Sequence, residues 1–187
     1  MGVIDVGSNT VRLLVTHGAR PAFSEREMLR LGADVEETGR ISDLKLARAA
    51  EVVARYADDA RAAKVERLEV LITSPGRQAA NANDLLEGLT LAARCPVRVL
   101  SAAEEGRLAF VGAVGLATPP PRRTVAVVDV GGGSAQVVVG SRKTGPQWAR
   151  SIDLGSQRLT SRLLSADPPG APARCRRRRA SCVGRVA

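Results

Sequence analysis

Aromatic residues are nearly missing from this 187-residue chain, which has two Phe, one Tyr and one Trp. A core without rings must rest on Leu, Val and Ala, and a hydrophobic fraction of 44% supplies them at the usual level for a globular fold. Histidine occurs once, at His17 beside Gly18, where a loop position gives it no role. The three cysteines, Cys95, Cys175 and Cys182, have no CxxC spacing, so neither a zinc site nor a disulfide framework is indicated. No apolar run reaches the ~18 residues of a membrane span. No charged leader with an apolar run and cleavage site marks a signal peptide, so a cytoplasmic protein is expected. The formal charge of +9 is mostly local: Arg174, Arg176, Arg177, Arg178, Arg179 and Arg185 supply six, leaving +3 for the body. That balance is ordinary for a soluble enzyme and suits an anionic substrate.

What the chain does have is a repeated turn. Thr124–Gly140 reads TVAVVDVGGGSAQVVVG: a β-branched strand, Asp129, three glycines with Ser134, then a second such strand. Glycine has no Cβ to hold a ligand away, so the amides of Gly131, Gly132 and Gly133 form a nest for an anion, phosphate above all. Asp129 is placed to hold a metal ion or water beside it. An ordinary hairpin turn is the plainer reading of either stretch alone. Val3–Val15, VIDVGSNTVRLLV, has the same plan with Asp5, Gly7, Ser8, Asn9 and Thr10, about 124 residues earlier. Two such hairpins are a domain-scale repeat, and facing each other they would clamp a phosphate chain between two lobes.

Between them the pattern alternates. After the first hairpin, Met28–Leu31 reads as a third strand and Gly32–Gly39 as loop. A helix from the N-cap Ser42 presents Leu46, Ala50, Val53, Ala57 and Ala60 on one face. Leu68–Thr73 is a strand, Asn83–Arg94 a helix, Val97–Leu100 a strand, and Ser101–Leu116 a helix with Leu108, Val111 and Val114 inward. This is an α/β layered lobe over residues 1–117. The stiff TPPPRR of 118–123 then acts as a hinge, and a second lobe spans 124–166, with a third strand at Gln147–Ile152 packed by Trp148 and a short helix at Leu159–Leu164. Residues 167–187 form a disordered basic tail: a polyanion- or nucleic-acid-binding segment, sequence without a selected role, or translation out of frame from near Gly170. The last fits best, because about three strands are too few to bury a second core.

Five segments, in order over residues 2 to about 165, resemble the exopolyphosphatase / guanosine pentaphosphate phosphatase family. They are VIDVGSNTVRLLV, TSPGRQAAN (73–81), LSAAEEGRLAFVG (100–112), VVDVGGGSAQVVVG and SIDLGSQRLT (151–160). The resemblance implies the two-lobed actin-like (ribonuclease H-like, Hsp70-type) ATPase fold, with the first lobe complete and the second partial. It implies Mg²⁺-dependent hydrolysis of terminal phosphate from inorganic polyphosphate. Guanosine pentaphosphate, an alarmone of the bacterial stringent response, is the alternative substrate, and a non-catalytic binder of either is the rival function. Nucleic acid and membrane are not expected partners, and family members are often homodimers.

The family's base position matches Glu105. Ser101 and Glu104 form S-x-x-E, a capping box that occupies Glu104 and leaves Glu105 to orient and deprotonate water; by itself Glu105 also reads as a carboxylate favoured by the helix dipole. Arg77 matches a phosphate-gripping arginine, although a surface arginine is the plainer reading. Gly7, Ser8, Asn9, Thr10, Gly131, Gly132, Gly133 and Ser134 would bind phosphate, and Asp5 and Asp129 the ion, unless those carboxylates only cap their turns. Pro75 and Gly76 depart from the motif ahead of Arg77, and Ala102 replaces a glycine. With the rest of the second lobe absent, this chain is expected to be impaired or inactive.

Overall fold

Alternation of apolar side chains sets the first sheet. In β1 (Gly2–Val6) and β2 (Thr10–His17), Ile4, Val6, Val11, Leu13 and Val15 are fully buried while Asp5 and Arg12 face away. The computed structural model describes residues 1–18 and 20–163, so the expectations for residues 164–187 lie outside it. β1 pairs antiparallel with β2, which pairs with β3 (Arg20–Met28). On its other side β1 runs parallel to β4 (Leu68–Ile72), and β4 to β5 (Val97–Val99). The sheet order is β3-β2-β1-β4-β5.

Helix α2 (Asp43–Ala62) covers one face with Ala49, Val52, Val53, Tyr56, Ala57 and Ala60, and Leu46 and Ala50 flank them. Each fully buried Val, Leu or Ile side chain contributes about 1.5–3 kcal/mol. Ser42 precedes α2 as expected but does not cap it with its side chain. Its hydroxyl donates to Asp34, 2.6 Å away, and Lys45 donates to the same carboxylate. α4 (Ala82–Ala93) packs beside α2. Asn81, just before it, is buried with both amide atoms bonded to the Ile41 backbone at 2.9 Å, which pins the start of α2 to the end of the TSPGRQAAN segment.

Several expectations change. The third strand ends, rather than begins, at Met28; exposed on nearly every residue, β3 is held by backbone pairing to β2. Residues expected as loop form helix α1 (Leu31–Thr38), with Leu31 and Val35 buried and Gly39 ending it at φ 75°. The Arg77 loop is a short helix, α3 (Ser74–Gln78), started by Pro75. In α5 (Ala102–Ala117) the inward face is Gly106, Phe110 and Val114, four residues apart; Leu108 and Val111 are exposed.

That face of α5 packs on a second sheet, β6 (Val125–Val130), β7 (Ala135–Ser141) and β8 (Gly145–Ile152), all antiparallel in the order β6-β7-β8. Its core is Phe110, Val114 and Val138 with Val125 and Val127. By packing, α5 therefore belongs with the second lobe, and the cores divide near Ser101 rather than at the prolines of 118–123. Trp148 lies on β8 with 52% of its surface exposed rather than packed. The last described helix, α6 (Ser156–Leu163), starts earlier than expected and packs on α1.

Candidate functional site

Both glycine turns are built the same way. Gly7 N–H donates to Thr10 O at 3.0 Å, and Gly131 N–H to Ser134 O at 2.9 Å. Behind the first turn, at the start of α1, Leu29 and Arg30 N–H donate to Asn9 O and Gly32 N–H to Ser8 O. Behind the second, at the start of α6, Ser156 N–H donates to Gly131 O, and Gln157 and Arg158 N–H to Gly132 O. The carbonyls are thus tied back into the protein. The amides of Ser8, Asn9, Gly132 and Gly133 keep no acceptor among the described residues, and these residues line one cleft of about 420 Å³. Amides left unpaired in this way are donors waiting for an anion.

The turns touch. A Cβ on Gly133 would collide with the hydroxyls of Ser8 and Ser74, themselves 2.5 Å apart and buried, so only glycine lets the second turn settle here. Glycine is needed behind each turn as well: a Cβ on Gly32 would lie 2.8 Å from Ser8 Cβ, and one on Gly155 would strike the Gly132 carbonyl. Thr10 lines the cleft, and Ser134 is buried with its hydroxyl accepting from Gln136 Nε2 at 3.0 Å.

Three carboxylates share the cleft wall: Asp5, Asp129 and Glu105. Asp5 and Asp129 hold equivalent strand positions, opposite Arg12 and Gln136 respectively. Neither accepts a hydrogen bond from its own turn, which sets the capping role aside. The Asp5 side chain is accessible from the cleft, yet both lobes displace most bulk water around it. Burial and the negative charges of Glu105 and Asp129 raise its pKa to about 6, against the opposing pull of Arg12. Arg12 also lines the cleft and was missed in the motif reading. Strand alternation from Asp5 across the hairpin would have found it.

Glu105 lies in the first turn of α5, where the expected capping box is present: Glu104 Oε2 accepts from Ser101 N–H at 2.9 Å and Ser101 Oγ accepts from Glu104 N–H at 3.2 Å. Glu105 is half-buried, with Arg77 Nη2 donating to its Oε2 at 2.6 Å. Arg77 Nη1 donates to Leu100 O at 2.7 Å. The structure therefore places the Arg77 guanidinium against Glu105 and the Leu100 carbonyl, with both of its terminal nitrogens engaged. With Oε2 held, Oε1 is the oxygen available to a water.

Contacts across the lobes close the arrangement. Arg158 of α6 pairs with Glu36 of α1 at 2.7 Å, both largely buried, and Gln78 Nε2 donates to Asp153 Oδ1 at 2.9 Å.

The residues present also suit the cation that the resemblance implies. Among the described residues no three acidic, His or Cys groups stand close enough to cage a metal alone. Mg²⁺, however, is ordinarily held by one or two carboxylates, waters and substrate phosphates. Two carboxylates beside an anion nest match that donor set.

The arrangement is a two-lobed cleft lined by unpaired amides and carboxylates, and comparison with known proteins specifies the family. The Ppx/GppA phosphatase family model matches residues 11–181. Exopolyphosphatase 2 of Mycobacterium tuberculosis is 35% identical over 183 residues, covering 90% of this chain and 56% of that protein. Exopolyphosphatase 1 of Mycobacterium leprae is 32% identical over 175 residues, covering 91% and 51%. A solved exopolyphosphatase from Cytophaga hutchinsonii superposes with a TM-score of 0.80 at 28% identity, covering 94% of this chain and 57% of that one. The chain belongs to the Ppx/GppA phosphatase family and has its α/β, actin-like ATPase fold. The protein EutJ from Carboxydothermus hydrogenoformans, 16% identical with a TM-score of 0.57, shares the fold alone. The chain spans about half the length of the curated relatives it matches. No described helix is long and apolar enough to cross a membrane.

Proposed function

We propose that the chain is the phosphate-binding half of an exopolyphosphatase, acting on the terminal phosphoanhydride of inorganic polyphosphate. The observation that carries this is the convergence of four unpaired amides from two turns on one cleft, with Glu105 on its wall. The amides would hold the oxygens of the terminal phosphates. Glu105 Oε1 would take a proton from water as it attacks phosphorus, and the shortened chain would leave. Arg77 acts through Glu105, fixing its rotamer while remaining off the substrate. Asp5 and Asp129 would hold Mg²⁺, which neutralises phosphate charge when bound. A phosphate chain is favoured over guanosine pentaphosphate because the lining is amide, hydroxyl and charge, with Val130 as its one large apolar side chain.

Turnover by this chain is expected to be slow, since the second sheet has a thin core. Calorimetry should detect sodium tripolyphosphate binding in the presence of Mg²⁺. Phosphate release, at whatever rate, should fall at least ~10²-fold in Glu105→Gln. Absence of binding would overturn the reading, and undiminished release in the variant would remove Glu105 as the base.

A further inference from the structure

The charge is divided unevenly. Residues 1–105 hold 14 basic and 16 acidic side chains, whereas 106–152 hold six basic and one acidic, and that acid is Asp129 in the cleft. Four of the six cations meet at the end of the second hairpin remote from the glycines. Arg122 and Arg123 lie on the turn before β6, Arg142 and Lys143 on the turn between β7 and β8. The turns are joined by Lys143 N–H donating to Pro121 O at 2.8 Å. Arg122 and Lys143 flank an open notch of about 450 Å³ into which the hydroxyl residues Thr124 and Ser141 also face. All four cations are exposed, and none has an ion pair or side-chain hydrogen bond among the described residues. First-lobe arginines such as Arg48, Arg55 and Arg61, by contrast, are paired with acids.

We infer that this notch is a second polyanion site, which takes a distant part of the phosphate chain whose end lies between the glycine turns. The inference rests on the proposed function. β6 joins the two places, and its six residues set them about 20 Å apart, so a short phosphate oligomer reaches one site and a long chain both. No aromatic ring lines the notch for a base to stack on, which favours a bare phosphate chain over single-stranded nucleic acid.

The test is binding of long-chain sodium polyphosphate and of sodium tripolyphosphate, in Mg²⁺ at several salt concentrations, to the full 187-residue chain. Arg122→Gln/Lys143→Gln is expected to weaken long-chain binding at least tenfold and flatten its salt dependence, with tripolyphosphate binding unchanged. Gly133→Ala should weaken tripolyphosphate binding roughly 100-fold and leave long-chain binding that the double substitution then removes. If the double variant binds long chains like the parent while Gly133→Ala loses both probes, the notch falls and the cleft stands. If neither probe binds the parent, the proposed function and the inference fall together. Displacement of long-chain polyphosphate from the notch by poly(U) RNA at equal phosphate concentration would overturn the ligand in favour of nucleic acid.

Discussion

The two lobes carry the same unit in different settings. β1-β2-β3-α1 and β6-β7-β8-α6 share strand order, turn closure and an acid opposite the second strand. They also share a register shift, at Val15/Thr16 in one and Val139/Gly140 in the other, and a helix whose first amides bind the turn's carbonyls. The first unit is extended by β4 and β5 and covered by α2, with a continuous buried core. Among the described residues, the second is covered by α5 alone and leaves Val128, Val130, Trp148 and Ile152 exposed. Local sequence is therefore enough to shape the glycine turn, whereas stability comes from what covers the sheet. The second turn holds its place largely by resting on the first lobe.

Four substitutions and one control sharpen this contrast. The largest effect is expected from Phe110→Ala, which empties the centre of the second core at about 3–5 kcal/mol. Hydrogen exchange should show β6–β8 opening while β1, β2 and β4 keep their protection; uniform loss in both lobes would contradict separate cores. Next is Gly133→Ala, whose methyl pushes the second turn off Ser8 and Ser74. Tripolyphosphate should bind roughly 100-fold more weakly, while Gly88→Ala, with open space around it, should bind normally. Arg158→Ala breaks the Glu36 pair between the lobes and should cost roughly 2–3 kcal/mol, between the values for surface and fully buried pairs. Denaturant titration measures it.

The smallest effect is electrostatic. Asp5 titrates near 6 in the fold against an ordinary value of 3.8, so the folded state holds its proton longer than the unfolded chain does. The resulting penalty is absent below pH 3.8, develops between 3.8 and about 6, and is complete above. Asp5→Asn should raise stability by about 1 kcal/mol at pH 7.5, the full shift being reduced by water in the cleft, and change nothing near pH 3.5. Equal stabilisation at both pH values would refute the raised titration.

Much of this was legible because it is local. The two hairpins, the inward face of α2 and the Ser101–Glu104 capping box follow from residue type and spacing. α1 was hidden by Gly32, Gly39 and the acids Asp34, Glu36 and Glu37, which resemble loop composition. Its parallel with the LGSQR segment, where a Leu-Gly pair again stands at a helix start, is the available clue. What spacing does not carry is the partner. Proline composition marked a hinge after α5, but α5 packs ahead of it onto the second sheet. Leu108 and Val111 are as apolar as Phe110 yet lie on the open side. The motif points Arg77 toward phosphate, and nothing local shows that its guanidinium also bonds Glu105 and Leu100.

The central claim, that both turns close on one phosphate chain, is tested most directly by amide chemical shifts during a sodium tripolyphosphate titration in Mg²⁺. Ser8, Asn9, Gly132 and Gly133 are expected to shift together along one saturation curve. Shifts confined to one turn, or curves with different midpoints for the two, would contradict it.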